Sequence, residues 1–318
     1  MRTFGESLNK VNNLDCTVIG DAIIDIVVPV SSFEQLGKAL VGGILNTDYA
    51  IYAGGTANVA AGISTLGGTS AFIGKVGADC FGTLFTEGLE EAEVLSRVSV
   101  SETRKTGLAI AISSTSDQDR FFIVDRGANL ELSPDDVDYD LAHNSHVVYF
   151  TGFSLQDPNV SKVVLSFIEE ASRQDTTIVF NPGAHNVITS SRMAVIDAVR
   201  RFADVVILNC AEGQSISQLE TDKQIVEFLL SLGVSTVALT KGEEGSIIST
   251  RASTNVFKGD PVDVVDSTGA GDAYTAAIVY AMLKGWKLER AGRFATRVAQ
   301  TTVGQKGPRC NFKNVPLL

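Results

Sequence analysis

Short β-branched runs alternate with amphipathic helical patterns along most of this chain, and this alternation limits the possible folds more than any other feature. The strand-like runs lie at residues 17–19, 70–75, 147–150, 177–180, 205–208 and 236–240. The helical patterns lie at residues 58–66, 81–92, 160–172 and 223–232. Repeated βα units place successive strands in parallel, so we expect an α/β sandwich of three layers, with a mostly parallel central sheet and helices on both faces.

Two stretches, 26–52 and 106–124, interrupt this rhythm because strand-like alternation continues there without a long helix. Within the second stretch, residues 110–113 and 120–124 have the pattern of strands in a small sheet. Such a sheet would project from the main body as a lid over the carboxyl ends of the large sheet's strands. The chain has no tandem repeat and no proline-rich linker, so we predict one domain over residues 15–318 after a flexible tail at residues 1–14.

The composition argues against several classes of protein. With 318 residues, of which 44% are hydrophobic and 20% charged, the chain is long enough for a large core. Its formal net charge of −11 argues against a nucleic-acid partner, because nucleic-acid binding needs a basic face. No membrane partner is expected, since no apolar run reaches spanning length. The tail at residues 1–14 lacks the apolar core of a signal sequence, and we therefore expect a cytoplasmic protein.

The most specific local feature is the heptapeptide Asp266-Ser267-Thr268-Gly269-Ala270-Gly271-Asp272. An alternating apolar run at 262–265 precedes it and an apolar helical pattern at 274–283 follows it, which predicts a strand, a tight turn and a helix. The glycines allow a sharp turn and expose main-chain amides at the positive end of the helix, where an anion binds. Asp272 adds a carboxylate at the same point, and this combination suits phosphoryl transfer to an alcohol. A glycine turn is also a common α/β element, so the heptapeptide alone leaves both interpretations open.

Further short motifs occur in order along the chain. They are Gly20 with Asp25 at the end of the first predicted strand, Gly54-Gly55-Thr56-Ala57-Asn58, the segment 74–82, Gly127-Ala128-Asn129, Asn209-Cys210-Ala211-Glu212, the segment 240–245 and the heptapeptide. In this order and spacing, the sequence resembles the ribokinase-like carbohydrate kinases, the PfkB family, from about residue 17 to residue 307. The resemblance implies a ribokinase-like sandwich with a small β lid, ATP as the phosphoryl donor, and Mg²⁺.

The resemblance assigns acceptor binding to two polar side chains and two glycines. Asp25 and Asn58 match ligands of the substrate hydroxyls, since a carboxylate accepts from two alcohols while an amide both donates and accepts. Gly54 and Gly55 would let their loop approach the sugar closely. Two other interpretations stay open at this point, because Asp25 also suits a surface carboxylate at a strand end and Asn58 also suits a helix cap.

The resemblance places the nucleotide and its metal at two later segments. Asn209 and Glu212 match an N-x-x-E element associated with the nucleotide phosphates and with magnesium held through water. The same pair also suits a capping box at a helix start, which does not exclude metal binding. Thr240, Gly242 and Gly245 resemble the loop that receives adenine and ribose, although these glycines also suit a hairpin.

Within the heptapeptide, the resemblance assigns Asp272 as the catalytic base that takes the hydroxyl proton. The amides of residues 269–271 would form the anion hole for the transferring phosphoryl group. Asp266 and Thr268 match the family's monovalent-cation site, which implies K⁺, although the sequence alone does not show an ion there.

Two departures from ribokinase itself bear on the acceptor. Thr56 stands where ribokinase carries a lysine, and the strand ending at residues 150–153 offers no carboxylate where ribokinase carries a glutamate. A ribose acceptor is therefore in doubt. Arg104, Arg120 and Arg126 suit an acidic or phosphorylated sugar unless they are solvated. Lid sheets of this type often pair between subunits in the family, which implies a homodimer through the lid.

We therefore expect an ATP-dependent carbohydrate kinase that phosphorylates a hydroxymethyl group of a small sugar or sugar derivative. The alternatives are a nucleoside kinase of the same family and a catalytically silent, sugar-binding regulatory protein, against which the presence of Asp272 with both glycines argues. The chain has no G-x-x-x-x-G-K-S/T sequence, and its Gly269-Ala270-Gly271 lacks the third glycine of G-x-G-x-x-G. Both absences argue against a P-loop enzyme and an NAD-dependent dehydrogenase.

Overall fold

Two sheets form the framework of the computed structural model, which describes residues 14–40, 48–114, 119–305 and 307–308. The strands are β1 (Leu14–Ile19), β2 (Ala22–Val30), β3 (Ala50–Gly55), β4 (Ser70–Gly77), β5 (Leu95–Ser101), β6 (Gly107–Ser114), β7 (Asp119–Asp125), β8 (Ser145–Thr151), β9 (Thr177–Asn181), β10 (Val205–Asn209), β11 (Thr236–Thr240), β12 (Ser246–Thr250) and β13 (Thr254–Phe257). The helices are α1 (Phe33–Leu40), α2 (Ala57–Thr65), α3 (Cys80–Glu91), α4 (Asp140–Asn144), α5 (Pro158–Ser172), α6 (His185–Phe202), α7 (Cys210–Ser217), α8 (Asp222–Ser231), α9 (Ala270–Leu283) and α10 (Leu288–Val303).

The large sheet has nine strands in the order β13-β12-β11-β10-β9-β8-β1-β4-β5. Pairing is parallel from β5 to β11, and β12 and β13 add two antiparallel strands at one edge. From β8, successive strands β9 to β13 are added toward one edge, and from β1, strands β4 and β5 are added toward the other edge. The direction in which the sheet is built therefore reverses between the neighbours β8 and β1. In open α/β sheets, the crevice at such a reversal, outside the carboxyl ends of the strands, is where ligands bind.

Helices cover both faces of the large sheet, which confirms the predicted three-layer α/β sandwich. Adjacent residues of one strand enter different cores: Val18 and Tyr149 lie in one hydrophobic cluster, whereas Ile19 and Phe150 lie in the other. The first cluster also includes buried residues of α2, α3, α9 and α10, and the second those of α4 to α8. Burial of both faces explains why these strands are continuous apolar runs without polar alternation.

A four-stranded sheet in the order β3-β2-β6-β7 forms the lid that the two irregular stretches predicted. Strand β2 pairs antiparallel with β3 and parallel with β6, and β6 and β7 form an antiparallel pair. Strand β1 begins at Leu14, while the remainder of the predicted tail, residues 1–13, lies outside the described residues. Within the described part of the chain, no helix is long and apolar enough to cross a membrane.

The strand predicted at residues 262–265 is wrong. This segment belongs to neither sheet, and Val264 and Val265 expose 71% and 54% of their surface. The backbone N–H groups of Val265 and Asp266 both donate to the carbonyl of Val303, at 2.9 and 3.1 Å. Val303 ends α10, where helix carbonyls lack an intrahelical donor. The alternating valines therefore belong to a segment that donates to the last carbonyl of α10 and does not join the sheet.

Candidate active site

The heptapeptide forms a tight turn into α9, and we call residues 266–272 the anion turn. Gly269 has φ +76°, and a Cβ added there would lie 2.6 Å from the Cα of Pro308, so only glycine fits this position. The N–H of Ala270 donates to the carbonyl of Ser267 at 3.4 Å. No described residue accepts from the N–H of Gly269 or Gly271, and nothing lies within 4 Å of a Cβ added at Gly271. The turn thus presents amides to open space at the positive end of a helix.

Asp272 and Asn58 are in direct contact although 214 residues separate them, because the Asn58 Nδ2 donates to the Asp272 Oδ2 at 3.0 Å. Asn58 is buried within the first turn of α2, and the N-cap of that helix is Thr56, so Asn58 is not the helix cap that its sequence also suited. Burial raises the pKa of Asp272 to about 6, and the hydrogen bond from Asn58 opposes that shift. Asp272 is therefore a more basic carboxylate than an exposed one, with one oxygen held by an amide.

Asp25 lies on lid strand β2 and not at the end of the first strand, which the sequence had predicted. In the β2–β3 register it stands opposite Tyr52, and its carboxylate occupies the space that a Cβ on Gly54 would need. Gly55 has φ +62°, and a Cβ there would lie 2.7 Å from the carbonyl oxygen of Asp21. The two glycines therefore allow a close approach of the backbone to Asp25 and to the end of β1.

Asn209 and Glu212 form the capping box that the sequence also suited. The Asn209 Oδ1 accepts from the N–H of Glu212 and the Glu212 Oε2 accepts from the N–H of Asn209, both at 2.9 Å. Burial raises the pKa of Glu212 to about 7, the bond from the Asn209 N–H opposes the shift, and the negative charge of Asp272 adds to it. The charge of Asp272 thus makes ionisation of Glu212 more costly, and a cation between the two carboxylates would lower that cost.

This donor set fits hydrated magnesium better than a metal held by protein alone. Among the described residues, no group of three histidine, cysteine, aspartate or glutamate side chains could hold a metal ion by itself. Magnesium keeps several waters and is bound through one or two carboxylates together with substrate phosphates. Glu212 and Asp272 supply carboxylates of that kind beside the anion turn.

The loop after β11 is the hairpin that its glycines also suited. The N–H of Lys241 donates to the carbonyl of Gly245 at 2.8 Å, and Gly242 and Gly245 have φ +59° and +94°. Thr240 pairs with Asn209 in the β10–β11 register, which places it beside the capping box. A Cβ on Gly242 would meet nothing within 4 Å, so this backbone faces open space.

The Asp266 carboxylate stabilises the anion turn through two hydrogen bonds from backbone N–H groups. Its Oδ1 accepts from the N–H of Thr268 at 2.9 Å, and its Oδ2 accepts from the N–H of Gly307 at 3.0 Å. Burial, and after it the charge of Asp266, raises the pKa of Tyr52. A lid residue thus lies near the turn, and nothing local in the sequence indicated Tyr52.

Two of the three arginines that suited an acidic sugar are paired with carboxylates of the protein. Arg126 makes a bidentate ion pair with Asp21, with both N–O distances at 2.8 Å, and the pair is largely buried. Arg104 pairs with Glu131 at 3.4 Å, and the side chain of Arg120 lies outside the described residues. Arg126 therefore joins the lid to the end of β1, and other residues must recognise the acceptor.

Asn129 also fastens the lid, and sequence reasoning had noted it only as part of a motif. Its Oδ1 accepts from the N–H of Ala22 at 2.7 Å, and its Nδ2 donates to the carbonyl of Ala22 at 2.9 Å. The side chain is 2% exposed. This buried amide satisfies both backbone polar groups of Ala22 and so fixes the start of β2, the strand that carries Asp25.

The raised pKa of Glu212 predicts how stability changes with pH. Its pKa is about 7 in the fold against an ordinary 4.5, so the protonated form stabilises the fold. That stabilisation is complete below the unfolded value and is lost as the pH rises through the folded value. We expect Glu212→Gln, a neutral side chain of the same shape, to raise the melting temperature of the ligand-free protein more at pH 8 than at pH 5. The exposed Glu220→Gln is the control, and an equal effect of Glu212→Gln at both pH values would contradict the shift.

Comparison with known proteins shows what the chain and its fold are similar to. The family model for pfkB family carbohydrate kinases matches residues 13–313. A 5-dehydro-2-deoxygluconokinase of Clostridium beijerinckii is 26% identical over 308 residues, which cover 93% of this chain and 88% of that protein. An adenosine kinase from Sinorhizobium meliloti is similar in structure, with a TM-score of 0.85 and 26% identity, over 93% of this chain and 96% of that chain. A protein described as ribokinase II of E. coli, solved with ATP and Mg²⁺, has a TM-score of 0.79 and 23% identity, over 93% and 94%.

Proposed function

The chain belongs to the pfkB family of carbohydrate kinases and is an ATP-dependent kinase of a sugar or nucleoside, and we propose that Asp272 is the catalytic base of its reaction. The observation that carries this proposal is the contact between Asn58 and Asp272 at the start of α9, beside the amides of the anion turn. An acceptor ligand, a basic carboxylate and an anion site then lie within one small volume. Phosphoryl transfer to an alcohol needs all three.

In the proposed reaction, Asp272 takes the proton from a hydroxymethyl group of the acceptor. The acceptor oxygen forms a bond to the γ-phosphorus of ATP as the bond to the β-phosphate oxygen breaks, and ADP leaves. The N–H groups of Gly269, Ala270 and Gly271 stabilise the charge on the transferring group. Asn58 holds the Oδ2 of Asp272, which leaves its Oδ1 to receive the proton. With a pKa of about 6, Asp272 is ionised at neutral pH and still basic enough to act.

We assign roles around this centre to the remaining predicted residues. Asp25 and Asn58 bind acceptor hydroxyls, and Gly54 and Gly55 keep the backbone close to them. ATP is the donor and Mg²⁺ its counter-ion in this family. Magnesium neutralises charge on the phosphates when it is bound, and we place Asn209 and Glu212 around it through water. The open backbone at Thr240, Gly242 and Gly245 suits the approach of the nucleoside part of ATP.

An acceptor panel tests the function directly. By the names they carry, the relatives phosphorylate a sugar acid, fructose 6-phosphate, ribose or adenosine, so the panel contains 5-dehydro-2-deoxygluconate, ribose, fructose 6-phosphate and adenosine. We expect ATP consumption coupled to one phosphorylated acceptor, measured by ADP release and by mass spectrometry of the product. Tight binding of a panel member without any ADP release would favour the silent regulatory protein.

We also propose a K⁺ site at Asp266 and Thr268, since the Asp266 carboxylate lies in the anion turn and accepts from the N–H of Thr268, which brings a carboxylate and the backbone of Thr268 together. Potassium there would hold the turn electrostatically. Equal kcat in KCl and in choline chloride would exclude it. The cytoplasmic location predicted from the sequence stays a prediction.

A homodimer through the lid is a further part of the proposal. Strand β7 is an edge of the small sheet, and Phe121, Phe122, Ile123 and Val124 each expose more than half of their surface. An exposed apolar edge strand is a site for pairing with another chain. Sedimentation of the wild type as a monomer at micromolar concentration would contradict it.

A further inference from the structure

The segment Gly307–Pro308 lies between the lid and the anion turn and contacts both. A Cβ added to Gly307 would lie 2.5 Å from two ring carbons of Tyr52 and 2.8 Å from its hydroxyl oxygen. On the turn side, a Cβ added to Gly269 would lie 2.6 Å from both the Cα and the Cβ of Pro308. Both residues of the segment are buried. Because packed protein interiors transmit displacement, the segment cannot shift without moving one of its neighbours.

Hydrogen bonds reinforce this packing on the turn side. The N–H of Gly307 donates to Asp266, and Asp266 in turn accepts from the N–H of Thr268. The segment is therefore tied to the first part of the anion turn by hydrogen bonds and to Gly269 by contact. Thr268 and Gly269 directly precede the amides of α9 that face open space.

On the lid side, the contact leads to the acceptor. Tyr52 stands directly opposite Asp25 in the antiparallel β2–β3 register, so both side chains lie on the same face of the lid. Opposed residues in such a pair have Cβ atoms about 5 Å apart. A displacement of β3 that moves Tyr52 therefore moves Asp25 with it. Strand pairing thus links Asp25 to Tyr52, and contacts continue from Tyr52 through Gly307 to Asp266 and the turn.

We propose that Tyr52 is a positioning residue for the kinase reaction, which holds the anion turn in register with the lid by packing on Gly307–Pro308. An acceptor seated at Asp25 is thereby aligned with a phosphoryl group seated at the amides of α9. The proposal rests on the proposed function, because this alignment matters only if the turn receives the phosphoryl group. Tyr52 itself need not touch either substrate.

Amide hydrogen exchange of the ligand-free protein tests the coupling without an acceptor. In Tyr52→Ala, we expect the hydrogen-bonded amides of Thr268 and Ala270 to exchange at least about 10-fold faster, since the turn loses its support. Tyr52→Phe keeps the ring and should differ from wild type by less than about 2-fold at these amides. Tyr49→Ala is the matched control, because Tyr49 precedes the same strand and exposes 66% of its surface. Amides of α5, remote from the lid, should be unchanged in all variants.

Kinetics test whether the coupling serves the reaction. With the acceptor that the panel identifies, Tyr52→Ala should lower kcat by about 10- to 100-fold, the effect of a small misplacement of reacting groups. The KM for ATP should change by less than about 3-fold, and Tyr52→Phe should restore most of kcat. The alanine variant could also lose stability as a whole. Tyr52→Leu keeps apolar bulk but not the planar ring, and it is therefore measured in parallel.

Each arm has its own contradicting result. Unchanged exchange at Thr268 and Ala270 in both Tyr52→Ala and Tyr52→Leu would overturn the coupling, whatever the acceptor is. Faster exchange there with wild-type kcat would overturn the positioning role. If no panel member is phosphorylated, the proposed function fails, and the positioning role fails with it while the exchange result still decides the coupling.

Discussion

Replacing Asp272 with asparagine is expected to lower turnover by about 10²- to 10⁴-fold, the range for loss of a general base. Asparagine has the same shape and keeps an oxygen that can accept from Asn58 Nδ2, but it cannot take a proton. The affinities for ATP and for the acceptor should therefore stay close to those of the wild type. Steady-state kcat together with calorimetric binding of both substrates measures the two effects separately.

Glu289→Gln is the matched control for this variant. Glu289 lies in the first turn of α10 and is exposed, so its replacement also removes one carboxylate from a helix start, but away from the anion turn. Its turnover should equal that of the wild type. Wild-type turnover in Asp272→Asn would refute the assignment of Asp272 as the base.

Adding a single methyl group at Gly54 is expected to raise the acceptor KM by about 10- to 100-fold, as loss of a hydrogen bond to a charged group does. The new Cβ would occupy the position of the Asp25 carboxylate, so the carboxylate must turn away from its present place. Binding of ATP should change by less than about 3-fold, because Asp25 and Gly54 lie in the lid strands β2 and β3. Acceptor titrations at saturating ATP measure the effect.

Two further variants complete this experiment. Asp25→Ala should weaken acceptor binding to a similar extent, and the double variant should show little additional loss, because both changes remove the same interaction. Gly37→Ala in α1 is the control, since a Cβ there meets nothing within 4 Å. An acceptor KM near that of the wild type in Gly54→Ala, or equal losses for acceptor and ATP, would contradict the placement of Asp25.

Local patterns were sufficient for the architecture and for the individual loops. Alternation of strand and helix patterns predicted the three layers, because burial on both faces leaves continuous apolar runs such as residues 147–150. The stretches at 26–52 and 106–124 predicted the lid because strand-like alternation of apolar and polar residues continues there without a long helix. The valines at 262–265 misled the prediction, because alternation shows that a chain is extended but not which partner satisfies its backbone.

Contacts between distant segments were beyond local patterns. Asn58 and Asp272 were each identified from a motif, but only the packing of α2 beside α9 shows that they touch. Gly54 was expected to admit a sugar, whereas the structure shows that it first admits the carboxylate of Asp25. Tyr52 belongs to no motif, and its proposed role comes from its contact with Gly307, which is distant in sequence. Such relations depend on tertiary packing, which a single sequence does not encode in any short window.

The pH dependence of single-turnover phosphoryl transfer, with ATP and magnesium prebound, tests the role of Asp272 most directly. The wild type should lose activity on the acid side as its base becomes protonated, below the pKa of about 6 that burial produces in the free protein, because magnesium beside the carboxylates favours their ionised form. The charge of Asp272 affects the pKa of Glu212, so the acid limb of the pH–rate profile reports on both carboxylates. Glu212→Gln is therefore measured beside the wild type. The residual rate of Asp272→Asn should be flat between about pH 5 and 8. An acid limb of the same position and depth in Asp272→Asn would show that another group takes the proton.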